Sequence, residues 1–201
     1  MALISMPTTP SFRQSEWGLR TSAAVSESPF TGHQQVYEYD RALWYAVMTL
    51  PPMRREKAAE WQAFLLKLRG RANTFLLGDP DAKSVRGTAS SCAVASSADV
   101  GDTSIDLTIG NNETLNVGSY IQLGSAASAK LYMIVDSNTA SAAGAITVTI
   151  EPKLKVAITA STTAVISEPK GVFRMDATEL TWSADHISNY GFTFSCTEAY
   201  A

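Results

Sequence analysis

Charged side chains are scarce in this chain: 17% of its 201 residues are Asp, Glu, Lys or Arg, against about 25% in an average soluble protein. With 45% hydrophobic residues and a formal net charge of −3, it lacks the low hydrophobicity and high charge that keep a polypeptide unfolded. It also lacks a basic excess, having 16 Lys and Arg against 19 Asp and Glu, and so has no electrostatic footprint for nucleic acid. Two cysteines, Cys92 and Cys196, are too few for the disulfide framework of a small secreted domain and are expected to stay reduced. No apolar run approaches the roughly 20 residues that span a bilayer. Met1 to Pro10 lacks the charged start and long apolar stretch of a secretory signal. The expectation is a soluble, globular chain made inside the cell.

What is present divides into segments of different chemistry. Residues 1–87 carry 11 basic and 8 acidic side chains and much of the Trp, Tyr and Phe. Residues 88–168 carry 3 basic and 7 acidic ones, with Tyr120 and Tyr132 the only aromatics among Ala, Ser, Thr, Val and Ile. Residues 169–201 return to the first character, with Phe173, Trp182, Tyr190, Phe192, Phe194 and Tyr200. This pattern predicts a mainly β protein: an aromatic-rich β-sandwich host domain from 1–87 and 169–201, with a small all-β barrel or sandwich inserted at 88–168. Insertions are tolerated at exposed turns whose ends lie close together. Gly78-Asp79-Pro80-Asp81 and Glu168-Pro169-Lys170-Gly171 read as those joints.

Within the host, Phe12 to Leu19 and Leu43 to Leu50 have strand-like spacing, and Ser28 to Gly32 is a turn. Gln35 to Tyr39 alternates as a half-buried strand does. From Met53 the period changes: Ala58, Trp61, Phe64, Leu65 and Leu68 recur at helical spacing. Pro52 near the first position and Gly70 past the end bound one amphipathic helix over 53–69. Asn73 to Gly78 reads as a strand. In the insertion, strands are expected at Thr103–Ile109, Tyr120–Leu123, Leu131–Val135 and Ile146–Ile150, without a long helix. Val172–Met175 and Leu180–Trp182 follow, and Tyr190 to Cys196 reads as one strand closing the host sheet, its aromatics on one face.

Convergent chemistry is hard to find. His33 and His186 are the only histidines; with Cys92 and Cys196 they lack the close pairs of a zinc site. Ser183, Asp185 and His186 are the ingredients of a hydrolase triad, but crowd one stretch without a nucleophile elbow. Asp79 and Asp81 suit a backbone-bonding turn better than a calcium loop, which needs further oxygen ligands at fixed offsets. Asn111-Asn112-Glu113 is a polar turn, and Gly118 and Gly124 are isolated rather than parts of a phosphate loop. Arg54, Arg55, Lys57, Lys67, Arg69 and Arg71 alternate with Glu56 and Glu60, as on a solvated helix face; an acidic protein partner is the next reading. The stripe Tyr190, Phe192 and Phe194 reads as sheet core. No catalytic, metal-binding or cofactor-binding residue is assigned, and an enzyme is not expected.

A set of ordered motifs adds a resemblance. Phe30-Thr31-Gly32, a strand containing Trp44, Leu50-Pro51-Pro52-Met53, Trp61-Gln62-Ala63-Phe64-Leu65, Leu68-Arg69-Gly70 and Phe75 to Pro80 follow one another. Val117 to Gly124, Leu131-Tyr132 and Pro169 to Arg174 extend the series. In this order and spacing the chain resembles the distal tail proteins of long-tailed bacteriophages. The resemblance implies a β-sandwich bearing a helix, assembled into a homo-oligomeric ring around the tail channel. The typical ring is a hexamer, with trimers in related tips. It implies a virion protein of the tail tip, made in the bacterial cytoplasm, with the tail tube, hub or baseplate and tape measure proteins as neighbours. Neither nucleic-acid sequence recognition nor membrane insertion is implied, and no catalytic residue is carried over. Residues 88–168 would be the additional outer domain; a carbohydrate- or receptor-binding role for it is the alternative. The helix face at Arg54 and Arg55 and the strand at Phe12–Leu19 are the expected subunit contacts.

Overall fold

A computed structural model describes residues 1–137, 140–141, 143–186 and 188–200. The chain runs β1 (Leu3–Ile4), β2 (Gln14–Glu27), β3 (Gln34–Thr49), β4 (Met53–Arg54), α1 (Arg55–Leu68) and β5 (Thr74–Leu77). Then come β6 (Cys92–Val94), β7 (Ser104–Ile109), β8 (Tyr120–Leu123), β9 (Lys130–Ser137), β10 (Ala145–Glu151) and β11 (Ala164–Val165). It ends with β12 (Gly171–Met175), β13 (Ser183–Ala184), β14 (Asn189–Gly191) and β15 (Thr193–Glu198). The protein is mainly β, with one α-helix among the described residues.

Both ends of the chain build one six-stranded sheet, ordered β1-β5-β12-β15-β3-β2. A three-stranded sheet, β13-β14-β4, adjoins the helix. The helix buries Ala58, Trp61, Phe64, Leu65 and Leu68, the positions that its period sets on one side. Trp61 stands edge-on to Phe12 and Phe64, Phe64 edge-on to Phe75, and Phe75 edge-on to Phe194, with centroids 5.5–6.2 Å apart. Each such fully buried side chain contributes about 1.5–3 kcal/mol through area alone. The Trp61 indole N–H is satisfied by the Thr9 carbonyl at 3.2 Å.

The middle of the chain forms a second six-stranded sheet, ordered β11-β8-β9-β10-β7-β6. Its edges meet through an Ala93–Thr163 bridge, so the sheet is nearly closed into a barrel. β7 alternates strictly between buried Ile105, Leu107 and Ile109 and exposed neighbours, which places its apolar face inside. Among its described residues the one helical element is a single 3₁₀ turn, Ala126–Ser128. The entry and exit joints touch: a Cβ on Gly78 would lie 2.1 Å from the Pro169 carbonyl oxygen, so only glycine lets the two backbones pass. Val85 packs against the barrel's core and Gly87 bridges to Leu115, while Tyr120 and Leu131 belong to the host's core.

Four local expectations are corrected. The helix begins at Arg55, because Met53 and Arg54 are drawn into β4, where they pair with Tyr190 and Asn189. Its left-handed terminal residue is Arg69, at φ 51°, with Gly70 following at φ 62°. Tyr190 to Cys196 is two strands rather than one, and β15 lies inside the sheet between β12 and β3 instead of closing it. Leu180 to Trp182 is not a strand. The fourth concerns Gln35 to Tyr39, which is not half-buried: it is exposed on both faces.

Candidate functional site

Side chains with chemical potential are mostly committed to local structure. Asp79 accepts the Asp81 backbone N–H at 3.1 Å, and burial pushes its carboxyl above the usual aspartate range. Glu113 accepts from the Ser90 N–H and hydroxyl and from the Gly110 N–H, which hold its carboxyl below the ordinary value. Asp185 closes its turn by accepting from the backbone and side-chain nitrogens of Asn189 at 2.8 and 3.2 Å; Ser183 beside it pairs with Gly191. Cys92 and Cys196 are buried in two different cores, and burial raises both thiols, Cys92 to about 12. His33 stands at the tip of the β2–β3 hairpin and His186 in the turn after β13. Among the described residues no group of three or more His, Cys, Asp or Glu could hold a metal ion. Arg54, Arg55, Lys57, Lys67, Arg69 and Arg71 are exposed, and Lys57 pairs with Glu60 at 3.0 Å.

Phe192, Phe194 and Cys196 are buried, with Tyr190 packed against the same core. Tyr120 and Tyr132, the aromatics that a sugar-stacking surface on the insertion would need, are also inside, 7% and 1% exposed. An open groove of about 520 Å³ runs between the N-terminal segment and the joints, lined by Met6, Phe12 and Leu76 together with Asp79, Lys83 and Lys170.

The feature that stands out is a two-stranded arm. β2 and β3 pair antiparallel from Gln14–Thr49 to Glu27–Gln34. Near the sheet, β3 is also paired with β15, from Tyr45 to Thr49. Beyond the root each strand is paired, among the described residues, only with the other, and from Arg20 to Arg41 every residue except Ser28 is exposed. Tyr37 and Tyr39 share one face with Ala24 and Ser22, their rings 5.0 Å apart; Val25 and Val36 oppose each other on the other face. Phe30 at the tip is 95% exposed. The alternation expected of a half-buried strand is present, but both faces of it are exposed. Exposed apolar groups gathered on one projection mark an interaction surface, and an isolated two-stranded ribbon is at best marginally stable in water.

A second polar feature joins barrel to host. Lys155, from the loop after β10, pairs with Glu198 on β15, their side chains 7% and 0% exposed. The same carboxylate oxygen accepts the Trp44 backbone N–H at 3.3 Å, and the Trp44 indole N–H donates to the Leu131 carbonyl at 2.8 Å. Lys130 donates to the Ala199 carbonyl and lies over the Tyr200 ring. Burial lowers both lysines from the ordinary lysine value, and the Glu198 charge counters it. Nothing in the sequence flagged this cluster, because its contacts join residues up to 154 positions apart in a chain with few charges. Comparison with protein-family models and with curated proteins gives no match.

Proposed function

We propose that the chain is a structural subunit of a phage tail tip, of the distal tail type, which builds a homo-oligomeric ring joining the tail tube to the baseplate or tip complex. The observation that carries this reading is the arm, which places Val25, Phe30, Val36, Tyr37 and Tyr39 in water, each 49–95% exposed. A repeated subunit closes a ring through heterologous contacts, one surface of a copy meeting a different surface of the next. A projecting ribbon with two apolar faces suits that geometry, because it reaches past its own body toward a neighbouring copy. The order and spacing of the sequence motifs support the same reading; the hexamer is the favoured ring and the trimer its alternative. The tube, hub or baseplate and tape measure proteins are its proposed neighbours in the virion. No catalytic role is proposed. The carbohydrate- or receptor-binding alternative through residues 88–168 is not favoured, since Tyr120 and Tyr132 are buried.

Light scattering of the purified chain over a concentration series tests the ring. The expected result is a closed species at about three or six times 21.6 kDa. Replacing Val25, Val36, Tyr37 and Tyr39 together by serine is expected to return it to one chain. A single-chain mass at every concentration, both alone and mixed with a tail tube protein, would overturn the reading.

A further inference from the structure

Among the described residues, the ion pairs between the barrel and the arm fall at the arm's root. The β2–β3 ladder breaks once: Arg20 pairs with Leu43 and Ser22 with Tyr39, so Thr21 alone faces Asp40, Arg41 and Ala42. Such a bulge disrupts the ladder and bends the strand, which makes it the point where the arm can change direction. Lys153, from the barrel's loop after β10, lies across this break. Its Nζ is 3.2 Å from Asp40, inside the break, and 3.6 Å from Glu38, just beyond it.

The residues next to Lys153 show why it is well held. Leu154 is 1% exposed in the barrel's core, and its backbone N–H and carbonyl bond to Asp102 and Gly101. Lys155 is anchored in the buried pair with Glu198, and its backbone N–H donates to the Tyr132 hydroxyl at 3.1 Å. The loop is therefore fixed to the barrel by Leu154 and to the sheet by Lys155, while Lys153 reaches the arm from that rigid base. A salt bridge between two mobile side chains contributes little. One made from a fixed loop loses less backbone freedom when it forms, and the position from which the side chain reaches out is set in advance.

We propose that the inserted barrel is a brace: through Lys153 it sets the angle at which the arm leaves the body. Glu38 alternates with the tyrosines along β3, so the brace holds the valine face and leaves the Tyr37–Tyr39 face clear for a partner. The brace does not depend on the ring reading, since it lies within one chain. If the ring forms, it fixes the direction in which each arm meets the next copy.

The test is a spin-label distance between the arm tip and the barrel, with Phe30→Cys and Val135→Cys as the labelled sites, both exposed. Cys92 and Cys196 are buried and stay unlabelled. All variants carry Val25→Ser, Val36→Ser, Tyr37→Ser and Tyr39→Ser, the combination expected to give one chain, so that no neighbouring chain holds the arm. A narrow distance distribution is expected with Lys153 present. Lys153→Glu should widen it and shift its maximum, Lys153→Gln should widen it less, and adding Glu38→Lys and Asp40→Lys to Lys153→Glu should narrow it again. High salt should also widen the Lys153 distribution, because these side chains are partly or largely in water. Equal widths for Lys153, Lys153→Gln and Lys153→Glu would overturn the brace, whatever the mass measurement says of the ring.

Discussion

Replacing Glu198 by leucine tests the buried cluster on which the barrel's attachment is argued to rest. The Glu198 carboxylate, with its side chain fully buried, faces the Lys155 amine, and its field also supports Lys130. Without it, a lysine whose side chain is only 7% exposed keeps its burial and loses its counter-charge. Removing one member of a buried pair costs about 3–5 kcal/mol, which in a chain of this length lowers the melting temperature by about 6–20 °C. Urea unfolding followed by tryptophan fluorescence reads the loss, since Trp44 adjoins the cluster. Replacing both partners, with Glu198→Leu and Lys155→Met, should recover most of it, because an apolar pair leaves no buried charge behind. The pH dependence has a definite sign. Burial already lowers Lys155, and losing Glu198 lowers it further, so the unfolded chain holds the proton more tightly than the folded one. Stability then rises with pH between the folded and the ordinary lysine values, and the deficit of the single variant should shrink as pH climbs from neutral to alkaline. A loss under about 1 kcal/mol would refute the reasoning, as it would make the pair behave like a solvated surface contact.

Other outcomes follow from the same structure. The four-serine arm variant should lower the assembled mass while leaving thermal stability within about 0.5 kcal/mol of the parent, since every substituted side chain is exposed; scattering and a melt on one sample check both. Gly78→Ala should cost about 1–3 kcal/mol in urea unfolding, because its methyl would meet the Pro169 carbonyl oxygen. Glu113 should titrate below ordinary glutamate by NMR, and Ser90→Ala should move it upward. Its depressed value means that its contribution to stability is present above the unfolded value and is lost as pH falls through the folded one. Both thiols should resist a disulfide reagent at pH 8 until urea unfolds the chain, since burial keeps them protonated and covered.

Local pattern carried much of the architecture. The five buried residues of α1 are the five that the helical period picks out, because a surface helix buries one stripe against whatever it meets. The strict alternation of β7 fixed its inward face without reference to its neighbours, as the pleat does in any strand. The stretch poor in aromatics supplies the second six-stranded sheet, whose buried cluster is aliphatic apart from Tyr132 and Cys92.

Tertiary structure decided what such patterns leave open. Alternation in Gln35 to Tyr39 says that two faces differ, but whether either is buried depends on distant chain, and here both stay exposed. Met53 and Arg54 had helical neighbours and became strand, because β14, over 130 positions later, offered them backbone hydrogen bonds. The Lys155–Glu198–Lys130 cluster and the Lys153 contact to the arm join residues of the insertion to chain after and before it, which the fold brings together with the joints at Gly78 and Pro169. The sequence by itself thus determined which residues face inward within each element, because that depends on the period of the backbone. The tertiary structure decided which faces stay bare and which charges meet, because those depend on where separate elements come to lie.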